Sequence, residues 1–246
     1  MKINLFIITL IIGLIISSGH SSFSQATPNQ TDSQGKKQGE WIKMDSNGNI
    51  VYKGLFKDNI PQGKFIYYDT TGKVKAVSEF SDHGNKAFTT LYEKGKKVSE
   101  GLYINEKKQG SWKYYNQDSI VIAEEYYEMG IPNGTWKTFY ASGELLEEIP
   151  YVNGVKEGTW LQYFYDGMVK TRATYEKGLL EGLATFYHPN GRVFISGPYL
   201  HNLKDGTWMH LNDKGVTEKR EIWKGGILLA EEYYDKKIEK MAKEEK

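Results

Sequence analysis

Histidines are the first residues of this chain to test for chemistry. His83, His188, His201 and His210 are spread along the sequence, and three of them fall between positions 188 and 210. Such clustering raises the question of a metal site, but no His-x-x-x-His or carboxylate spacing accompanies it. The spacing of turn signals places His188 in a turn, His201 at the start of the next turn and His210 on a strand. We favour solvated turn histidines over a metal site, and we expect no metal and no cofactor.

Paired acids recur as Glu124-Glu125, Glu147-Glu148 and Glu231-Glu232. Neighbours on a strand point to opposite faces, so these pairs cannot serve as the acid and base of a glycosidase-type site. We interpret them as exposed strand charges that blunt edge pairing. The chain has no Cys and no Gly-x-Ser-x-Gly nucleophile motif. The sequence therefore predicts a protein that is not an enzyme.

Glycine is abundant, with 26 residues, but no helical pattern follows any glycine-rich stretch. Phosphate-binding loops lead from a strand into a helix, so turn glycines with positive φ are the favoured interpretation. The chain has 246 residues, with 32 Lys and Arg against 31 Asp and Glu, and aromatic residues make up 14% of it. This balance excludes a strongly basic nucleic-acid-binding face, and the composition is typical of β-structure with many turns.

A repeat organises these residues. Phrases of the form Gly-x-aromatic recur every 24 residues from Gly110 onward, and Gly63 and Gly110 are 47 residues apart. We assign the ring position of eight units, with one deletion inside the second or third, to Trp41, Phe65, Phe88, Trp112, Trp136, Trp160, Ala184 and Trp208. Fifteen residues later a second aromatic, the ladder position, is occupied by Phe56, Phe80, Tyr103, Tyr127, Tyr151, Tyr175, Tyr199 and Trp223.

Two turn signals and a period-two pattern divide each unit into a β-hairpin. We predict an all-β fold, an elongated single sheet of about eight tandem 24-residue hairpins with near sixteen strands. A turn centred on the sequence GIPN would place Tyr127 directly across from Trp136. Large apolar residues also stand three positions after the ring position, on the opposite face of a regular strand. Either both faces are partly covered, or a bulge shifts the phase.

The spacing in NGTWKTFYASGELLEEIPYVNGVKEG, residues 133–158, resembles the MORN repeat. It is most similar to the bacterial variant found in antitoxin components of toxin–antitoxin systems. The resemblance covers residues 35 to about 234. It implies stacked hairpins in a curved sheet that serve protein interaction, dimerisation or membrane-associated scaffolding.

The two ends of the chain differ from the repeats. Lys2, the apolar run Leu5–Ile16 and the small residues before position 27 follow the order of a secretory signal peptide. We divide the chain into a signal peptide (1–26), a polar lead-in expected to be mobile (27–34), the repeats (35–235) and a charged tail (236–246) that forms a short helix or is disordered. A retained N-terminal anchor is the alternative to cleavage.

The aromatic rings carry the functional expectation, since Trp and Tyr are favoured at interfaces. We predict an exported interaction or scaffold module, in the periplasm, on the outer surface or secreted, whose partner is another protein. A homodimer is compatible with the pattern. The alternatives are a glycan- or cell-wall-binding protein and an antitoxin that binds a toxin. The candidate residues for partner binding or for the core are Trp112, Tyr115, Trp136, Phe139, Trp160, Tyr163, Tyr187 and Trp208. Ala184 leaves a notch, or a space that Phe186 or Tyr187 fills.

Overall fold

The structure, a computed structural model, describes residues 27–234. These residues form one open sheet of 21 strands. The strands are β1 (Gln30–Thr31), β2 (Lys37–Met44), β3 (Ile50–Lys57), β4 (Ile60–Tyr68), β5 (Val74–Ser81), β6 (Lys86–Glu93), β7 (Lys96–Ile104), β8 (Lys107–Tyr115), β9 (Val121–Glu128), β10 (Ile131–Pro132), β11 (Gly134–Phe139), β12 (Leu145–Val152), β13 (Val155–Lys156), β14 (Gly158–Tyr163), β15 (Val169–Glu176), β16 (Leu179–Tyr187), β17 (Val193–Leu200), β18 (Leu203–Lys204), β19 (Gly206–Leu211), β20 (Thr217–Lys224) and β21 (Ile227–Tyr233).

Each strand pairs antiparallel with the strand that follows it, apart from short interrupted segments. β10 and β11 both pair with β9, and β13 and β14 both pair with β12. β18 and β19 likewise share β17. The all-β single-sheet prediction is confirmed. The strand number exceeds the predicted sixteen because three strands are split in two and because β1 and β21 flank the repeats.

Each split lies at a bulge ahead of the ring position. Gly134, Gly158 and Gly206 begin the second piece of each split strand with φ of 79°, 107° and 99°. Positive φ at a bulge favours glycine, which lacks the Cβ that clashes in this region. The bulge adds two residues to the strand, since two residues of β9 face the four residues 133–136, and it interrupts the ladder of hydrogen bonds. The predicted turn glycines seven residues after the ring position also have positive φ, as at Gly48 (82°) and Gly215 (84°).

A second register shift accompanies the large residue three positions after the ring. Thr138 pairs with Glu147 while Phe139 pairs with Leu145, so Leu146 is the extra residue, and it lies in the returning strand. The face of Phe139 on its own strand is therefore unchanged. Of the two alternatives raised by the sequence, partial coverage of both faces is the one observed, because the bulge lies in the returning strand and does not shift the phase of Phe139.

Three regions differ from expectation or lie outside the description. The lead-in is not a free segment, because β1 pairs with β2 through Gln30 opposite Gln38 and Thr31 opposite Lys37. The turn predicted at GIPN lies earlier, at Met129–Gly130, and Tyr127 faces Pro132. The predicted signal peptide and charged tail lie outside the described residues. Residues 27–234 hold no helix that is long and apolar enough to span a membrane.

Candidate binding surface

The sheet has one face on which the tryptophans lie, the tryptophan face. Here the aromatic residues at the ring position pack against ladder rings, in two repeats with a ladder ring on each side. The centroid of Trp136 lies 5.4 Å from that of Tyr127 and 4.6 Å from that of Tyr151. Phe65 lies 5.2 Å from Phe56 and 4.9 Å from Phe80. Aromatic pairs at this spacing stabilise beyond their buried area. A single sheet has no second layer to pack against, so these rings form its core.

Glycines on the preceding strand let the largest rings approach the backbone. A Cβ added to Gly101 would lie 2.4 Å from Trp112 ring atoms, and one added to Gly197 would lie 2.2 Å from Trp208. Both indoles are 1% exposed. Each donates its Nε1–H to a carbonyl, Trp112 to Leu102 and Trp208 to that of Pro198. Gly101 and Gly197 have ordinary strand conformation. Glycine is needed at these positions because a side chain would overlap the indole, not because the backbone requires a positive φ.

The predicted candidate residues divide between the two faces. Trp112, Trp136, Trp160 and Trp208 lie on the tryptophan face, and Tyr115, Phe139, Tyr163 and Tyr187 lie on the opposite face. Trp112 and Trp208 are core residues, while the other six are half-buried. The rings therefore do not form a regular exposed stripe along the sheet.

The sequence places the ring position of the third repeat at Phe88, which is one residue too early. Phe88 pairs with Glu79 and lies on the opposite face, 49% exposed. Thr89 takes the ring position on the tryptophan face, opposite Ser78. The register shift that follows the ring position in other repeats falls here between Leu91 and Tyr92, three residues after Thr89. The deletion belongs to the loop after Tyr92, where the tight turn Lys94–Gly95 replaces a longer one.

The third repeat also lacks the bulge ahead of the ring position. Ala87 stands where the other repeats have glycine, and β5 and β6 pair without a register shift. An alanine resists the positive φ that the bulge requires. The extra residues instead enlarge the turn to 82–85, between the paired residues Ser81 and Lys86. A threonine thus replaces a large ring, in a hairpin of different shape.

An open cleft of about 860 Å³ lies on the tryptophan face at this repeat. Its walls include Phe65, Phe80 and Tyr103. Its floor includes the buried pair Ser78 and Thr89, whose hydroxyls are 2.8 Å apart. Its rim includes Asn85, Asn105 and Glu106, all exposed. The missing ring of the third repeat has left a cavity whose apolar walls are available to a ligand.

The structure has no cavity at Ala184, where a notch is one of the two alternatives drawn from the sequence. Ala184 is 0% exposed and belongs to a buried cluster with Ala173 and Trp208, against which Trp160 and Phe186 pack. Of the alternatives drawn from sequence, the filled space is therefore the correct one. A smaller cavity of about 280 Å³ lies nearby, but Ala184 does not line it.

Lysines lie over the rings in four repeats, at the position four residues before the ring. Nζ of Lys37 is 4.6 Å from the Trp41 centroid and 4.7 Å from that of Phe56. Nζ of Lys204 is 4.3 Å from Trp208. Lys108 and Lys156 make the same kind of contact in the fourth and sixth repeats. These cation–π contacts place a positive charge on the tryptophan face at intervals along the sheet.

The paired acids separate onto the two faces, as predicted. Glu125 accepts hydrogen bonds from Tyr114 (2.5 Å) and Tyr127 (2.6 Å) on the tryptophan face. Glu124 lies 3.4 Å from Lys113 on the other face. These carboxylates are half-buried in the middle of the sheet, so the interpretation of Glu124, Glu125 and the Glu147–Glu148 pair as exposed edge charges was wrong. Glu125, Glu147 and Glu148 instead accept hydrogen bonds from tyrosine or tryptophan side chains, and Glu124 pairs with Lys113.

His210 lies on a strand, as its place in the repeat predicts, and it is not a solvated turn histidine. It lies in β19, and its Nε2 is 3.2 Å from the carboxylate of Glu221, which is 5% exposed. Lys219 (2.5 Å) and the Trp223 indole (2.8 Å) also contact Glu221. Burial alone would raise the pKa of this carboxyl, but the contacts with Lys219, Trp223 and His210 lower it to about 2. Residues 27–234 contain no group of three or more His, Asp or Glu arranged to hold a metal ion.

Replacing Glu221 by glutamine should change the pH dependence of stability. Because the folded pKa lies below the ordinary 4.5, the charge stabilises the fold above about pH 4.5 and ceases to do so as the pH falls through about 2. The contribution is about 3 kcal/mol. Urea unfolding from pH 7 to pH 2 should show a wild-type advantage over Glu221→Gln that shrinks with falling pH. Glu232→Gln, at an exposed carboxylate, is the matched control, and a pH-independent difference would contradict the assignment.

Four segments of the chain match the model of the family described as the MORN repeat variant. They are residues 37–58, 132–153, 156–177 and 180–201, and each begins four residues before a ring position. Over these four segments the chain is similar to the MORN repeat variant. The resemblance read from the sequence is confirmed at this level. MORN repeats commonly act as protein- or membrane-binding modules.

Other comparisons add little to this family match. No curated protein matches the chain. Among solved structures, a mutant of S. aureus TarM in complex with Fondaparinux, alpha-GlcNAc-glycerol and UDP is 18% identical, with a TM-score of 0.32 over 48% of this chain and 21% of that one. A second TarM structure is 21% identical, with a TM-score of 0.31 over 39% and 19%. The chain spans about a fifth of the length of these proteins, and likeness at this level carries no argument.

Proposed function

We propose that this MORN-repeat chain is an exported, non-enzymatic interaction module that binds another protein on its tryptophan face, at the cleft of the third repeat. The observation that carries the proposal is the cleft itself. It interrupts a face on which rings otherwise pack against one another, and it exposes aromatic walls beside a polar rim. Aromatic side chains in a concave site are the usual anchors of a protein interface.

The form of the sheet supports a binding role. Neighbouring hairpins contact one another in sequence, which produces a long face that an extended partner can follow. Half-buried rings at Trp136 and Trp160 continue the tryptophan face beyond the cleft. Export rests on the apolar run Leu5–Ile16, which lies outside the described residues. Mass spectrometry of the mature N-terminus tests that part, since cleavage predicts a chain that starts near Thr27.

Photo-cross-linking tests the location of the binding surface. A benzophenone amino acid at Asn85 places the reactive group on the cleft rim, and the same group at Phe88 places it on the opposite face of the adjacent strand. With envelope and culture-supernatant extracts, the Asn85 probe should give a discrete protein adduct and the Phe88 probe should not.

Two leucine variants separate binding from folding. Tyr103→Leu removes a cleft wall and should abolish the adduct, whereas Tyr175→Leu, at the equivalent ladder ring of the sixth repeat, should retain it. Equal adducts from both faces, or an adduct indifferent to Tyr103→Leu, would overturn the proposal. Retention of cell-wall glycan without a protein adduct would favour the glycan-binding alternative. If the cross-linked protein were a toxin, the chain would be an antitoxin that acts by direct binding.

A further inference from the structure

We infer that the cleft of the third repeat binds a lysine side chain of the partner protein, in the position that the chain's own lysines occupy in other repeats. The inference rests on the proposed function for the source of that lysine, and it names the chemistry of the contact. Its basis is a comparison among the repeats, which differ at the position four residues before the ring.

The repeats that carry lysine show what the aromatic site accepts. In the first, fourth and eighth repeats, one Nζ lies over two rings, the ring position and the ladder position of the same repeat. Lys108, for example, is 4.7 Å from both the Trp112 and the Tyr127 centroids. The lysine stem covers apolar surface while the ammonium group faces the negative faces of the rings. Two rings and an ammonium therefore form a recurring unit of this fold.

The second repeat has both of its rings, Phe65 and Phe80, without the lysine, and the third repeat has only its ladder ring, Tyr103. Pro61 stands at the equivalent position in the second repeat, and Asn85, in the enlarged turn, stands there in the third. The rings of Phe65, Phe80 and Tyr103 consequently line an open cleft. Phe80 and Tyr103 both pair with Ala87 from the strands on either side of β6. Two such strands are about 10 Å apart, which leaves room for an alkyl ammonium chain between the rings.

The charge around the cleft also favours a cation. Glu106 is the charged residue among those that line the cleft, and it lies at the rim. Two lysines beside the cleft are held over rings of their own repeats: Lys37 lies over Trp41 and Phe56, and Lys108, which pairs with Tyr103, lies over Trp112. The floor hydroxyls of Ser78 and Thr89 are paired with each other. An incoming lysine would thus meet aromatic faces along its stem and a carboxylate near the entrance.

Titration of the isotope-labelled full-length chain with N-acetyl-lysine methylamide tests the inference. Its matched neutral probe is N-acetyl-norleucine methylamide, which keeps the alkyl chain and lacks the ammonium group. The backbone amide resonances of Ala87 and Thr89 should shift saturably with the lysine probe, and the norleucine probe should bind about 3- to 30-fold more weakly. Equal binding of the two probes would overturn the inference.

Variants and a third probe make the outcome specific. Tyr103→Leu should weaken lysine binding and Tyr103→Phe should retain it, because the phenyl ring keeps its negative face. Tyr175→Leu, at a ring already covered by Lys156, should leave it unchanged. Phosphocholine that binds while the lysine probe does not would also overturn the inference, since the cleft would then select a quaternary headgroup. A failed titration with a persistent Asn85 adduct leaves the proposed function standing; lysine binding without any protein adduct removes the proposed function alone.

Discussion

Gly101→Ala should destabilise the protein by about 3 kcal/mol or more. The added methyl group would lie 2.4 Å from the Trp112 ring, a separation that neither the indole nor the strand can accommodate without moving. Trp112 is 1% exposed and held by its hydrogen bond to Leu102, so the ring has little freedom to withdraw. Urea unfolding followed by far-ultraviolet circular dichroism measures the loss.

A double-mutant cycle with Trp112→Ala isolates the contact. Removing the indole should itself cost about 3–5 kcal/mol, because it opens a cavity in the core. In that background, however, Gly101→Ala should cost less than about 1 kcal/mol, since the atoms it would strike are gone. Additive costs would show that Gly101 is needed for some reason other than the space beneath the ring.

Thr89→Trp, combined with Ser78→Gly, should rebuild a standard repeat and close the cleft. Thr89 alone changed to tryptophan would force the indole against the Ser78 side chain and should destabilise by about 1–3 kcal/mol. Glycine is the residue beneath Phe65, Trp112 and Trp208 in other repeats. The double substitution should therefore recover stability, with a coupling of at least about 1 kcal/mol. The same two changes measured singly and together by urea unfolding give the coupling.

Phe88→Trp is the control for this repair. It introduces the same indole at the residue next to Thr89, on the opposite face of the sheet, where Phe88 is already 49% exposed. Its effect on stability should be small, and it should not respond to Ser78→Gly. If Phe88→Trp showed the coupling and Thr89→Trp did not, the register of the third repeat described above would be wrong.

The repeat, its two aromatic columns and the single-sheet architecture were predictable from sequence because they depend on periodic local chemistry. Turn glycines, alternating strands and ring spacing each repeat often enough to fix the register in seven units. The third repeat was not fixed this way. The 47-residue spacing between Gly63 and Gly110 indicates that one residue is missing. It does not locate the deletion, and the aromatic side chain of Phe88 favours that residue as the ring position. The short turn at Lys94–Gly95 was the signal that located the deletion, since a two-residue hairpin turn favours glycine at its second position.

The binding surface could not be derived from the sequence because it depends on contacts between repeats. Lys108 and Glu125 are ordinary strand charges when read alone, and their contacts with Trp112 and Tyr127 arise from cross-strand register. Ala184 replaces a large ring and so suggests a gap, yet rings of the same and adjacent hairpins pack over it. At Thr89 a small side chain stands in place of a ring, and the neighbouring rings of Phe65, Phe80 and Tyr103 line an open cleft instead. Whether a lost ring leaves a cavity is decided by such neighbours.

The most direct test of the central claim is the yield of protein adduct from a benzophenone group at Asn85 in the chain that carries Ser78→Gly and Thr89→Trp. This variant fills the cleft while leaving the rim residue and the other repeats in place. If the cleft is the binding site, the adduct seen with the unfilled chain should disappear although the variant remains folded by circular dichroism. An adduct that persists at its original yield in the folded, filled chain would contradict the account.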